Sequence, residues 1–479
     1  MIVRNESSNL DACLASAAGL ADELVIVDTG STDETRAIAV RHGASVHEFP
    51  WCDDFAAARN ESTRHARGDW IFWLDADDRI PKASHARLRE LFASLPDENI
   101  AYLMTVVCPG PDGGPMFQLA HARLFRNRPD VRWVYRVHEQ IGIAVLNMGG
   151  ALRPTDIGIV HVGYVQPGAM TSKLERNLRL LDLELAVHPF NGFLLQARAS
   201  TLLGLDRSAE ALVTLNLCEP FAEHEALARN VAALRGQAYI TEGRLPEALD
   251  AVRDGLARCP RDTKLWFLEA ELLAALGELG EAEACLRAQL AFDEDHGRLA
   301  CADRTIAAFR ARALLADILL QRGRPDLAEV ESRDVIAVRA SFGHAWLTLG
   351  EALLEQGRYE ELDALCAQLG SSRDAEVGRT VLSALRSSRD GDPERATLAI
   401  DQSLGARPGD LMLRKAKTRI LAARADRGKA LKEAVENVLA LDPLCSRTRS
   451  IERWLNRKTF GLQAVGHSAP PCSLGPQVL

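Results

Sequence analysis

No run in this 479-residue chain approaches the roughly 18 apolar residues that a membrane-spanning helix needs, and no charged stretch at its start leads into an apolar signal core. Both absences point to a cytoplasmic protein without a membrane span. The ten cysteines include no CxxC pair, so their scatter favours buried free thiols over zinc sites or a disulfide frame. Basic charge is in deficit as well. With 57 Lys and Arg against 66 Asp and Glu, the formal net charge is -9, and no dense basic stripe offsets it, so nucleic acid is not an expected partner. What remains is ordinary globular composition, 47% hydrophobic and 26% charged, over a length that accommodates two to four domains with full cores.

Two regimes divide the chain. Up to about residue 168, short apolar strands alternate with helices. Glu23 to Asp28 and Ala44 to Phe49 read as strands, Asp54 to Ala66 as a helix, and Trp70 to Leu74 as a central strand covered on both faces. Ser31 and Glu34 stand at capping-box spacing before another helix. This order implies an α/β domain with a mostly parallel sheet and right-handed crossovers. From residue 169 to 460 the pattern is helical. Gly243 to Gly277, Gly323 to Gly357 and Gly357 to Gly391 are each 34 residues apart, the tetratricopeptide period, and Gly204 joins the series as a turn glycine. Small residues keep step with them: Gly236, Ala270, Ala316, Gly350 and Ala384 before, and Ala248, Ala282, Ala328 and Ala396 after. An all-α solenoid of about six or seven helix pairs follows, with an insertion around residues 296–305 and a disordered tail over 461–479.

The chemistry gathers where Trp70-Ile71-Phe72-Trp73-Leu74 runs into Asp75-Ala76-Asp77-Asp78. Ligands of open α/β sheets bind at the carboxyl ends of the strands, and clustered carboxylates there repel one another unless a cation or base neutralises them. Mg²⁺ or Mn²⁺ shared with a substrate diphosphate would do so; an Asp-rich turn capping the next helix is the alternative. Asp28 closes its own strand beside a glycine loop, where a carboxylate can accept hydrogen bonds from a base or ribose.

At this level of detail the chain resembles the family 2 glycosyltransferases, which have an A-type nucleotide-sugar fold. The resemblance is carried by Met1-Ile2-Val3-Arg4-Asn5-Glu6, Ile26-Val27-Asp28-Thr29-Gly30-Ser31-Thr32-Asp33, Trp51-Cys52-Asp53-Asp54-Phe55-Ala56-Ala57-Ala58-Arg59-Asn60 and Gly68-Asp69-Trp70-Ile71-Phe72-Trp73-Leu74-Asp75-Ala76-Asp77. Arg123-Leu124-Phe125-Arg126-Asn127, Val137-His138-Glu139 and His161-Val162-Gly163-Tyr164 are similar to a branch in which a short transferase domain precedes tetratricopeptide repeats. The resemblance implies that Asp28 contacts the nucleoside and that Asp75 and Asp77 hold a divalent metal against the diphosphate of the donor, with a UDP-sugar as the expected form. A carboxylate then deprotonates the acceptor for in-line attack, which inverts the anomeric carbon. Glu139 is the candidate base, with His138 orienting it or contacting phosphate. His161 is the candidate third metal ligand, and Arg59 is suited to a phosphate. The family pattern has strand residues ahead of the segment matching Met1 to Val3, so either the true start lies upstream or the first strand is shortened and the base-binding wall incomplete. Pro109 to Pro115 form a Gly/Pro loop suited to a lid or acceptor edge.

The leading expectation is an inverting, metal-dependent hexosyltransferase. It would act on a peptide, glycan or lipid-linked acceptor, with a peptide, glycan or protein acceptor held by the repeats, which also serve homodimerisation. The alternative is a tetratricopeptide protein-binding scaffold whose truncated transferase domain is inactive. A phosphotransferase with Asp75 as nucleophile lacks the hydroxyl residue expected two places after Asp77, where Arg79 stands.

Overall fold

A computed structural model describes residues 1–109, 115–163, 170–296, 306–369, 373–424 and 428–459. Residues 110–114 of the Gly/Pro loop, the 296–305 insertion beyond His296, Tyr164 and the 461–479 tail lie outside the described residues. The chain divides into two compact units, Met1–Glu223 and His224–Leu479.

The first unit opens with a parallel three-stranded sheet in which β1 (Ile2–Val3) pairs with β2 (Val25–Asp28) and β2 with β3 (Ser45–Glu48). Helices α1 (Leu10–Ser16) and α2 (Thr35–Arg41) are the crossovers between these strands. The expected capping box at Ser31 does not form. Asp28 Oδ1 takes the N–H groups of Gly30 and Ser31 at 2.9 and 2.7 Å, so α2 begins only at Thr35, with Glu34 as its N-cap. Helix α3 (Phe55–His65) starts where expected, because Asp54 accepts from Ala57 N at 2.8 Å.

The strand before the acidic cluster departs from the expectation. β4 (Trp70–Phe72) is three residues long and is an edge strand of a second, mixed sheet. It pairs antiparallel with β7 (Pro115–Arg126); β6 (Ile100–Pro109), β8 (Ala151–His161) and β5 (Asp78–Arg79) complete the order β4-β7-β6-β8-β5. The mostly parallel sheet is thus confined to three strands. Trp70 and Phe72 are only half-buried, as an edge position dictates, while Trp73 and Leu74 beyond the ladder are buried. Helix α4 (Lys82–Ala93) seals this sheet through Leu88 and Phe92, and α5 (Gly142–Asn147) covers its other face through Ala144 and Val145.

The same unit takes in three helices from beyond the change of pattern near residue 168: α6 (Met170–Val187), α7 (Gly192–Gly204) and α8 (Ser208–Cys218). Leu180, Leu181 and Leu194 pack on Val137, and Arg179 forks onto Asp53 at 2.6 and 2.7 Å. Gly204 is not a turn glycine. It ends α7 against Leu174, 3.0 Å from where a Cβ would stand, and the positive φ of the turn falls on Asp206.

The second unit is all-helical. Its pairs are α9 and α10 (Glu225–Thr241, Leu245–Arg258), α11 and α12 (Thr263–Leu276, Leu279–His296), and α13 and α14 (Ala311–Gln321, Pro325–Val338). They continue with α15 and α16 (Gly343–Glu355, Tyr359–Gln368), α17 and α18 (Arg373–Arg389, Pro393–Ala406), α19 and α20 (Leu411–Ala423, Lys429–Leu439), and a last helix, α21 (Ser446–Thr459). Gly243, Gly277, Gly323, Gly357 and Gly391 all have positive φ at the intra-pair turns, which is why the 34-residue period shows in glycine. The small residues in step with them are buried. At Gly350 a Cβ would come within 2.5 Å of Leu382, so only glycine permits that approach between α15 and α17.

One half-buried group in this unit has a testable signature. Burial pushes the Glu271 carboxyl on α11 up to about 7, against the opposing pull of Arg310. Its folded value lies above its unfolded one, so the stability it contributes is present below about pH 4.5 and is lost as the pH rises through about 7. Glu271→Gln is expected to leave stability at about pH 4.5 unchanged and to raise it by about 2–3 kcal/mol at about pH 8. Urea unfolding at the two pH values checks this, and an equal effect at both refutes it.

Candidate active site

The site is assembled from residues far apart in sequence by one short ladder. Asp78 of β5 pairs with His161 of β8, and Val162 N donates to Asp77 O at 2.9 Å. His161 Nδ1 then meets Asp78 Oδ1 at 3.0 Å, and the imidazole lies against the acidic turn. Donor atoms of Asp75, Asp77, Asp78 and His161 all fall within 4.8 Å of one another. The turn is closed by Asp78 Oδ2, which accepts from Asp75 N at 2.8 Å.

The four groups do not share one environment. Asp78 is wholly buried, and Arg123 Nη1 donates to its Oδ2 at 2.7 Å. With His161 and Asp75 N also on it, Asp78 is spent on holding the turn. Asp75 lies between two guanidiniums, Arg59 at 2.8 Å and Arg123 at 3.7 Å. Burial alone would raise its carboxyl, but these two cations hold it well below the usual range. Asp77 has no guanidinium partner among the described residues. Burial, with the charges of Asp75 and Asp78, raises its carboxyl, against the opposing pull of His161 and of a backbone N–H. Burial would lower the His161 imidazole; its bond to Asp78 and the charges of Asp77 and Asp75 outweigh that and raise it.

Gly163 explains how a cation could fit. A Cβ there would stand 2.0 Å from Asp77 Oδ2 and 3.1 Å from His161 Nε2, so both donors converge on a space that only glycine leaves open. Two carboxylates and an imidazole around such a space suit a small divalent ion, and Asp78 on Nδ1 fixes the ring as outer partners of metal ligands do. Asp75, Asp77 and His161 fit that role, with Asp78 behind them.

Arg59, expected on a phosphate, is turned inward. It is 7% exposed, and its guanidinium is taken by Asp75 and by Glu139, whose Oε1 accepts from Nε at 2.7 Å. It lies over the rings of Trp73 and Trp133, at 4.2 and 5.1 Å. An Arg on a helix beside aromatic strand ends loses less hydration here than a Lys would, and the two rings return part of that loss. Arg59 therefore links Glu139 to the acidic turn. Glu139 is oriented by it, and His138 adds no bond to the carboxylate. His138 and Tyr135 both take positive φ, 54° and 73°, in a loop closed by reciprocal bonds between Val134 and Gln140 at 3.0 and 3.1 Å. The His138 side chain is exposed, yet desolvation by the surrounding loop holds its imidazole below its ordinary value, with Glu139 pulling the other way.

Asp28 is 1% exposed, and besides Gly30 and Ser31 its Oδ2 accepts from Arg36. Its loop is laced to the one after β1, where Thr32 N donates to Asn5 Oδ1 at 2.8 Å. Ala76 packs with Val3 and Ile26, and the Cys13 thiol donates to Asp75 O at 3.2 Å, so the acidic turn abuts the parallel strands although it belongs to neither ladder partner. Arg123, Gly163 and Trp133 were given no role by the sequence reading. Arg123 had a visible signal, a guanidinium at an inward position of the apolar alternation Leu119 to Phe125.

Residues 1–146 match the family profile Glycosyl transferase family 2, and residues 265–288, 310–333 and 343–361 match the Tetratricopeptide repeat profile. A TPR repeat-containing protein of Synechococcus elongatus is 38% identical over 202 residues, covering 40% of this chain and 49% of that protein. The SPbeta prophage-derived glycosyltransferase SunS of Bacillus subtilis is 27% identical over 220 residues, covering 44% of this chain and 50% of that protein. The match thus spans about half the length of these curated relatives. Among solved structures, a tetratricopeptide repeat protein from Parabacteroides merdae is 16% identical with a TM-score of 0.39, covering 57% of this chain and 94% of that one. The chain carries a family 2 glycosyltransferase domain followed by tetratricopeptide repeats. No helix among the described residues is long and apolar enough to cross a membrane.

Proposed function

We propose that the chain is an inverting, metal-dependent glycosyltransferase that moves a hexose from a nucleotide-sugar donor, a UDP-sugar in the first instance, to a peptide, glycan or lipid-linked acceptor. The observation that supports this most is the convergence of Asp77 and His161 on the space beside Gly163, with Asp75 in reach. A bound Mg²⁺ or Mn²⁺ would supply charge for the departing nucleoside diphosphate. The chain's own residues do the rest. Asp75, Asp77 and His161 hold the ion; Asp78 and Arg123 keep the turn that presents them. Glu139 takes the acceptor proton as in-line attack proceeds, and Arg59 keeps that carboxylate aimed. His138 would give a hydrogen bond to the donor's phosphates. Asp28, drawn tight in its loop, forms the wall against the nucleoside.

The competing reading, a protein-binding scaffold with an inactive transferase domain, is favoured by one fact: two guanidiniums already neutralise Asp75. Thermal shift against a panel of nucleotide sugars, with and without Mn²⁺, separates the two. The transferase reading expects one donor to raise the melting temperature only when Mn²⁺ is present, since ligand at about 100 times its Kd adds about 2.7 kcal/mol. No shift from any donor leaves the scaffold.

A further inference from the structure

One imidazole of the first unit is left without a partner. His121 stands on β7, opposite Met104 of β6 and two residues before Arg123. Its ring centre is 6.2 Å from that of Trp73, whose indole also carries the guanidiniums of Arg123 at 3.8 Å and Arg59 at 4.2 Å. Arg59 in turn joins Asp75 to Glu139, at 2.8 and 2.7 Å. His121 therefore lies in the charge cluster that runs from the candidate metal site to the candidate base. Burial and Arg123 push its imidazole down to about 4, with Arg59 adding to this and Asp75 and Glu139 opposing it, so the ring is neutral at physiological pH. The cations around it are already paired, Arg123 with Asp78 and Arg59 with Asp75 and Glu139. His121 itself has no hydrogen-bond or ion-pair partner among the described residues. It is only half-buried, and neither ring nitrogen is sealed from solvent, so both remain open to a ligand.

The chemistry of transfer says what stands beside such a group. The sugar's anomeric carbon lies between the diphosphate, on the side of Asp75, Asp77 and His161, and the acceptor, on the side of Glu139. A side chain that feels the charges of both Asp75 and Glu139 is therefore next to the sugar ring rather than next to the nucleoside. A neutral imidazole offers one N–H donor and one nitrogen acceptor, and a hydroxyl, itself both donor and acceptor, satisfies either. A carboxylate or phosphate would instead seek a cation, and the two guanidiniums nearby are held by carboxylates. Leaving a half-buried imidazole unpaired costs the fold, and a ligand hydroxyl would return that cost. We infer that His121 binds a hydroxyl of the transferred sugar and is a specificity-determining residue for the donor. This rests on the transferase reading, and it adds to that reading a contact with the sugar itself, separate from those to the ion, the diphosphate and the nucleoside.

The probes are UDP-glucose, UDP-galactose, UDP-N-acetylglucosamine and UDP, each titrated calorimetrically with Mn²⁺ into the full chain and its His121→Ala variant. The variant should bind the tightest of the three donors about tenfold more weakly, and UDP, which has no sugar, within about twofold of the unaltered chain. Monodeoxy forms of that donor then locate the contact. At one ring position, loss of the hydroxyl should weaken binding to the unaltered chain about tenfold and to the variant hardly at all, because the two changes remove the same bond. Equal losses for the donor and for UDP, no loss at all, or additive losses at every position overturn the inference while leaving the transferase reading in place. Failure of the unaltered chain to bind any of the four overturns both. Should the variant not fold, carbethoxylation of the unaltered chain by diethyl pyrocarbonate, mapped by mass spectrometry, decides. At about ten times its Kd the donor should slow modification of His121 about tenfold, and UDP at the same occupancy less than about twofold; equal protection by UDP overturns the inference.

Discussion

Asp77→Ala is expected to lower sugar transfer by about a thousandfold, equivalent to about 4 kcal/mol of transition-state stabilisation, while leaving the protein as stable as before or slightly more so. The two halves of that result have one cause. Asp77 is the carboxylate of its cluster with no guanidinium partner among the described residues, its charge disfavoured by burial and by Asp75 and Asp78. A group in that position costs the fold something, and removing it relieves repulsion. A cation in the space beside Gly163, which its Oδ2 faces, would repay that cost. Measuring nucleotide-sugar turnover with Mn²⁺ alongside the melting temperature tests both halves. Activity within about threefold of the unaltered chain removes Asp77 from the metal set, and a large drop in melting temperature makes its role structural.

Arg123→Met is expected to act in the opposite way, destabilising the first unit by about 3–5 kcal/mol. The Arg123 guanidinium is 2% exposed, lies 3.8 Å from the centre of the Trp73 ring, and answers the charge of a wholly buried Asp78 at 2.7 Å. Methionine fills most of the volume but leaves Asp78 without its counter-ion and Asp75 with only Arg59 nearby. Adding Asp78→Asn removes the stranded charge while keeping the bond to Asp75 N, so the double variant should recover more than half of the loss. Urea unfolding of the single and double variants is the measurement. A loss below about 1 kcal/mol in Arg123→Met, or no recovery in the double variant, contradicts the ion-pair account.

Much of the local structure could be read from neighbouring residues. Strand and helix periods marked β2, β3 and α3 to within two residues at each end, and the recurrent glycines marked five turns whose positive φ few other residues accept. Asp75, Asp77 and His161 could be picked out because carboxylates at a strand end and a histidine in a short motif stand out against apolar surroundings. Other features misled. Aromatic content made Trp70 to Leu74 look like a central strand, yet the hydrogen-bonded partner that makes a strand central or edge is chosen elsewhere in the chain. Arg59 looked like a phosphate ligand because nothing within ten residues shows that Glu139, 80 positions on, will take its Nε.

The sequence by itself determined the order of the elements, the helix-pair period and which residue types could do chemistry, because these depend on backbone preferences and apolar spacing within a few residues. Only the tertiary structure decided which carboxylate is left without a guanidinium, that Gly163 keeps open the space between Asp77 and His161, and that α21 returns to α11 across 178 residues. Those outcomes turn on charge, burial and close approach between segments distant in the chain. The energy of a buried ion pair or a missing Cβ is set by what surrounds it in space, and local sequence carries no record of that.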